Sequence, residues 1–167
     1  LFWLVRWNMK IIKEILPYVL IIIAVILIRT FIITPVRVDG ASMDQTLEDG
    51  QILLLYKLAN VDYGDIVVLD EEKEGEIIIK RIIGMPGDTV SIKDNTVYVN
   101  GEEVEEDYAY GETSDYEEIT LDDDEYFILG DNRPISKDSR YFGPVKEDEI
   151  IGKVIFRLWP FNKFGTI

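Results

Sequence analysis

Hydrophobic positions crowd into one block near the start of the chain and then scatter into short alternating runs. Residues 15–28 (ILPYVLIIIAVILI) are fourteen uncharged, mostly branched side chains; Arg29 interrupts, and TFIITPV carries the apolar character through Val36. Ile and Leu cover every face of this block rather than one stripe, which argues against a core helix of a soluble domain. About 20 helical residues cross roughly 30 Å of hydrocarbon, and 15–36 supplies 22. Arg29 can reach the interface along its apolar stem. Pro17 is expected in the first helical turn, where a missing N–H costs little. A cleavable signal peptide would share the basic start and the apolar run, but small residues of the A-x-A kind are missing downstream. The pattern predicts one membrane anchor at about 15–36. Met9 opens a shorter and equally sensible leader.

After Pro35 the period shortens from helical to strand-like. The predicted strands are 51–56, 65–69, 77–83, 89–92, 96–99, 126–129, 141–145 and 151–157, separated by Gly, Pro, Asn and Asp. Asp94-Asn95 and Asn100-Gly101 bracket TVYV, so 89–105 is expected to be a small β-meander. No long amphipathic helix interrupts the series, and no repeat is present. The fold expected is mainly β: a barrel-like antiparallel β-sandwich body preceded by one transmembrane helix. Residues 1–36 would be tail and anchor, and 37–167 the body.

Charge divides along the same boundary. Residues 1–40 hold five basic and two acidic side chains, net +3, so the remainder must carry −18 for the chain's −15. Arg6, Lys10 and Lys13 precede the apolar block, which by the positive-inside rule places the N-terminus in the cytoplasm and the body outside the cell membrane. An acidic body lacks the basic footprint nucleic acid requires. Thirteen of the 24 residues at 102–125 are Asp or Glu, with no Lys or Arg. They lack the Asp-x-Asp-x-Asp-Gly order of a calcium loop, and the segment is expected to be a solvated, mobile excursion of little consequence for catalysis.

The chain has no cysteine and no histidine. That excludes disulfides, thiol nucleophiles, thiolate or imidazole metal sites and every Ser-His-Asp hydrolase. No cofactor or metal is expected. Nucleophilic hydrolysis would need Ser or Thr with an amine as base. In 77–83, alternation puts Ile78, Lys80 and Ile82 on one face and Ile77, Ile79, Arg81 and Ile83 on the other. A lysine between isoleucines either snorkels from an edge strand or is desolvated until its amine is neutral. Free lysine, with a pKa near 10.4, is only about 0.04% neutral at pH 7. Ser42, after a Gly-Ala pair that admits close approach, is a candidate nucleophile. The polar segment 130–143 offers Asp138 and Arg140 as a pair, and Ser136 or Ser139 as a donor to a neutral amine. Arg81 faces away from Lys80, so Arg81→Lys is expected to matter far less than loss of Lys80.

Four motifs occur in order: Gly40-x-Ser42-Met43-x-x-Thr46-Leu47, Tyr63-Gly64-Asp65-Ile66-Val67, 80–88 (KRIIGMPGD) and Gly130-Asp131-Asn132-Arg133-x-x-Ser136-x-Asp138-Ser139-Arg140-x-x-Gly143. Together they resemble bacterial type I signal peptidase in its single-anchor form. The resemblance implies a Ser-Lys serine endopeptidase that cleaves signal peptides from exported preproteins, with Ser42 as nucleophile and Lys80 as general base. It implies Ser136 as the serine that orients the lysine, and Asp138 and Arg140 as a supporting ion pair. Met43, Ile78 and Ile79 would lie near the pockets for small substrate side chains. Signal peptides and the lipid bilayer are the partners implied, with no obligate protein partner. Three positions depart from the family's pattern. Gln45 stands where proline is usual, Ile135 replaces a common asparagine, and Gly40 lacks the hydroxyl that some members add to the oxyanion hole.

Two alternatives remain. The self-cleaving repressors of the DNA-damage response share a Ser-Lys architecture, but they need a DNA-binding domain where this chain has its apolar block. An inactive, membrane-anchored, protease-like binding or assembly protein is the other.

Overall fold

The computed structural model describes residues 2–71 and 75–167, with side chains described at 13–70 and 75–167. Arg6, Met9 and Lys10 of the leader lie outside the described side chains, and Leu1 lies outside the described residues altogether. Helix α1 spans Phe2–Phe31, so Pro17 falls in its interior rather than its first turn. There the ring removes one backbone bond to the preceding turn. The stretch Lys13–Phe31 is long and apolar enough to cross a membrane, and its side chains are exposed, with none of the body packed over them.

The helix stops before Val36. Strand β1 (Ile33–Arg37) follows after a single residue and pairs antiparallel with β2 (Ile52–Tyr56), Pro35 opposite Leu54. Strand β1 thus takes up the last four residues of the stretch expected to be anchor. Ile33, Thr34 and Val36 extend the apolar run in composition, but their β-branched side chains suit a strand. Pro35, which cannot donate, is tolerated on this edge strand. Three bonds lock the junction: Lys57 N–H to Ile32 O (2.9 Å), Lys57 Nζ to Thr30 O (3.0 Å) and Thr34 Oγ1 to Arg29 O (2.6 Å).

Strands β3 (Ile66–Glu71), β4 (Glu76–Gly84), β5 (Thr89–Lys93) and β6 (Thr96–Val99) match the expected runs, whereas β7 (Glu102–Glu103) and β8 (Tyr116–Thr120) arise inside the acid-rich segment. Strands β9 (Glu125–Leu129), β10 (Val145–Lys146) and β11 (Ile150–Trp159) complete the body. The expected strand at 141–145 survives only at Val145; Tyr141 and Phe142 instead end helix α2 (Ser139–Phe142), because the Asp138 side chain accepts the Arg140 N–H and caps a helical turn. The strands form two antiparallel sheets, ordered β1-β2-β11-β3-β4-β9-β10 and β7-β6-β5-β8. Asp94 and Asn95 both take positive φ (51° and 69°), the conformation a two-residue hairpin demands, and the meander forms as expected.

Alternation along β3 separates two hydrophobic clusters. Val68 packs with Val38, Met43, Leu53 and Leu55 on one face of the large sheet; Val67 and Leu69 pack with Ile82, Ile128 and Val145 on the other. A third cluster, including Val90, Val97 and Phe127, joins the two sheets. Strand β4 runs between β3 and β9 at the centre of this arrangement, and the site is built on it.

Candidate active site

Ser42 lies in the loop between β1 and β2, which is held shut by bonds in both directions between the Val38 and Gly50–Gln51 backbones. Met43 and Leu47, both fully buried, plug this loop into the core beside Val68. Ser42 is thereby presented at the surface of a loop that cannot drift. Gln45 adopts φ 79°, a value the proline ring excludes, so this turn could not be built with the residue usual in the resembled family.

Lys80 is 3% exposed in mid-β4, opposite Val67. Its Nζ lies 2.9 Å from Ser42 Oγ and 3.1 Å from the Ile79 carbonyl oxygen. Among the described residues no carboxylate lies within ion-pair distance of it. Burial pushes its pKa down from 10.5 to about 8, while the more distant Asp138 and Asp131 charges pull the other way. At that value roughly a tenth of the amine is neutral at pH 7. Lys80 is buried rather than snorkelling to the surface, and its burial favours the neutral amine. A neutral Nζ accepts the Ser42 hydroxyl proton, so the pair is arranged for base-assisted nucleophilic attack.

The loop after β9 secures the pair from behind. Asn132 N–H donates to Ser42 O (3.0 Å), and its Nδ2 donates to Ala41 O (3.1 Å). Only glycine fits at 130, since a Cβ would collide with Ser136 Oγ and with Ser42 O. The expected ion pair forms: Arg140 Nε and Nη2 meet Asp138 at 2.8 and 2.9 Å, and Asp138 also accepts the Gly130 N–H at 3.0 Å. The bond from Ser136 to the lysine that the resemblance implies is not made in this structure: Ser136 Oγ is buried beside Gly130 without a hydrogen-bond partner, and the second bond of Lys80 goes to Ile79 O. Ser139 accepts the Ile128 N–H instead and serves β9.

A cleft of about 360 Å³ opens in front of Ser42 and Lys80, with Met43, Ile78, Ile79 and Ile135 among its walls. Its Met and Ile walls could take small apolar side chains of an extended peptide. No group of acidic residues able to hold a metal exists among the described residues.

Composition alone hid the groups behind the loop. Arg81 does face away from Lys80, but into a fully paired site. Its Nε and Nη2 bind Asp131 at 2.9 and 2.6 Å, Nη1 binds Gly64 O at 2.7 Å, and its Cζ sits 3.9 Å from the Tyr108 ring centroid. Arg133, 1% exposed, holds Glu106 through two bonds of 2.9 and 2.6 Å. The acid-rich segment is therefore anchored in part and is not a free excursion. The expectation weighed charge density and not where a single partner falls 27 residues downstream. The Gly130-Asp131-Asn132-Arg133 run in the motifs was the available signal.

The chain matches the family model for signal peptidase, peptidase S26, over residues 10–159. It is 37% identical to "Signal peptidase IB" of Staphylococcus aureus (strain COL) over 179 residues, covering 91% of this chain and 93% of the relative. It is 40% identical to "Signal peptidase I" of Bacillus licheniformis over 162 residues, covering 86% and 87%. The crystal structure of a signal peptidase I from Enterococcus faecalis V583 aligns with a TM-score of 0.52 at 36% identity, covering 57% of this chain and 97% of that one.

Proposed function

The chain belongs to the signal peptidase family, peptidase S26, and on that footing we propose that it is a membrane-anchored serine endopeptidase that cuts signal peptides from exported preproteins with a Ser42–Lys80 dyad. The family supports cleavage of signal peptides. What supports the dyad is the 2.9 Å approach of a buried, partner-poor amine to a serine hydroxyl at the foot of an apolar cleft.

The preprotein lies extended along the cleft, small side chains directed at Met43, Ile78 and Ile79. Ser42 Oγ attacks the scissile carbonyl carbon as its proton passes to neutral Lys80 Nζ. The resulting oxyanion is held by the Ser42 backbone N–H, with water or a second donor in place of the hydroxyl that Gly40 lacks. Collapse breaks the C–N bond, and the Lys80 proton goes to the leaving amine. Lys80 then takes a proton from water, which attacks the acyl-enzyme and frees Ser42. Asp138 and Arg140 hold the loop behind the pair. Helix α1 anchors the body to the bilayer, with the cleft on the extracytoplasmic side.

The test uses the full chain in detergent with a secretory precursor carrying alanine one and three residues before the cut. Cleavage there, abolished by Ser42→Ala, is the expected result. No cleavage by the parent chain, or cleavage that survives Ser42→Ala, overturns the reading. Protease added outside wall-stripped cells is expected to digest the body; protection until the membrane is broken would reverse the orientation.

A further inference from the structure

The stretch 106–113 of the acid-rich segment crosses directly behind the loop that holds Ser42. Tyr110 N–H donates to Asp131 O (2.7 Å) and Arg133 N–H donates to Tyr110 O (3.0 Å), so Tyr110 and Asn132 pair as one parallel bridge. On either side of this bridge a buried guanidinium is fastened by the same stretch. The Tyr108 ring lies over Arg81, and Glu106 grips Arg133 through both carboxylate oxygens. Tyr108 OH also donates to Glu106 Oε1 at 3.1 Å. Arg133 in turn donates from Nε to Gly130 O (3.0 Å) and from Nη1 to Thr113 Oγ1 (3.0 Å). Gly130 and Asn132 are the residues packed against the Ser42 carbonyl. A continuous path of short bonds thus leads from Glu106 through Arg133 and the 130–132 backbone to the nucleophile.

We propose that Glu106 is a positioning residue, and that 106–113 is a clamp fixing the 130–133 loop so that Ser42 stays in register with Lys80. This rests on the dyad assigned above. Glu106 touches neither substrate nor the reacting atoms. It acts because a bidentate carboxylate fixes both the distance and the plane of the guanidinium, and the guanidinium fixes the turn at Gly130. With Glu106 gone, Arg133 is buried without its counter-charge. It must swing toward water, taking the Gly130 carbonyl with it. A misplacement of about 1 Å at a nucleophile costs up to roughly 100-fold in rate. Glu102 and Glu112 of the same segment are exposed and take no part in the path.

The experiment compares Glu106→Ala, Glu106→Gln, Glu102→Gln and Glu112→Gln in the full chain, by steady-state kinetics on the precursor peptide and by amide hydrogen exchange. Glu106→Ala is expected to lower kcat about tenfold or more while KM stays within about twofold. Glu106→Gln, which keeps one acceptor and the side-chain volume, should recover part of that loss; the other two variants should match the parent. Exchange at Asn132 and Arg133 should quicken about tenfold in both Glu106 variants, with the β3–β4 amides unchanged. If Glu106→Ala fails to fold, Glu106→Gln alone decides. Parental kcat in the Glu106 variants, or a loss carried wholly by KM, overturns the clamp, as does unaltered exchange at Asn132 and Arg133. If the parent chain does not cleave, the dyad reading falls, and the exchange result still decides whether the clamp exists.

Discussion

Lys80 and Arg81 are neighbours on β4, both cationic and both buried, yet they meet opposite surroundings. On the Arg81 face a carboxylate, a carbonyl and an aromatic ring satisfy the guanidinium, so a fixed charge becomes a structural tie. On the Lys80 face, among the described residues, the amine bonds only a hydroxyl and one carbonyl, and burial depresses its pKa to about 8. Arginine cannot shed its proton inside a protein, whereas lysine can. Residue type and partner supply agree on both faces: the arginine, which stays charged, has a carboxylate partner, and the lysine, which the proposed mechanism uses as a neutral base, has none among the described residues.

Removing Lys80 is the largest break available. Lys80→Met is expected to lower turnover by about 10⁴-fold or more, as loss of a dyad member does. It should also raise stability at pH 7 by up to about 3 kcal/mol, since a desolvated cation is replaced by a thioether of similar volume. Cleavage of a secretory precursor and a urea melt measure the two. Near-parental cleavage by this variant would remove Lys80 as the base.

On the other face the sign reverses. Arg81→Met leaves Asp131 buried without its partner and is expected to cost about 3–5 kcal/mol. Arg81→Lys should cost about 1–2 kcal/mol, because an ammonium cannot reproduce the two-pronged contact and the Gly64 bond together. Equal melts for parent and Arg81→Lys would show that charge alone suffices there.

The pH dependence sharpens the contrast further. Between pH 6 and 7 the rate should rise about tenfold along the limb of the Lys80 amine, then level above about 8. The folded pKa lies below the unfolded one, so the unfolded chain binds this proton more tightly. The penalty is complete below pH 8 and fades between about 8 and 10.5. The stability gap between parent and Lys80→Met should close across that window. A rate flat from about pH 6 to 9 would contradict the assignment.

Lys153 supplies the smallest effect. It pairs with Asp65 at 2.7 Å but is partly exposed, and Lys153→Gln should cost under about 1 kcal/mol in the same melt. A larger loss would mean that exposure, rather than partner supply, is a poor guide to cations on this sheet.

Much of this was legible in the residues. Strict alternation in 77–83 put Lys80 and Arg81 on opposite faces, and the Asn and Gly turns marked the meander. What escaped depended on pairings distant in sequence. Ile33–Arg37 reads as more helix until Ile52–Tyr56 offers it a partner. Glu106 reads as one acid among thirteen until Arg133 folds against it. Residues 141–145 alternate like a strand, yet the Asp138 carboxylate, held by Arg140, caps a helical turn first. Ser136 escaped for the opposite reason: the resemblance assigned it a bond that its hydroxyl does not make here.

A single residue, Ile32, separates helix from sheet, and Lys57 and Thr34 bolt that joint on both sides. A hinge of that length has no slack. With the proposed anchoring, a joint this short would hold the face bearing Ser42 and Lys80 at one height above the bilayer, so the helix would act as a depth stop. On that proposal the cut would be chosen twice, by the side chains the cleft admits and by the height at which a precursor leaves the membrane.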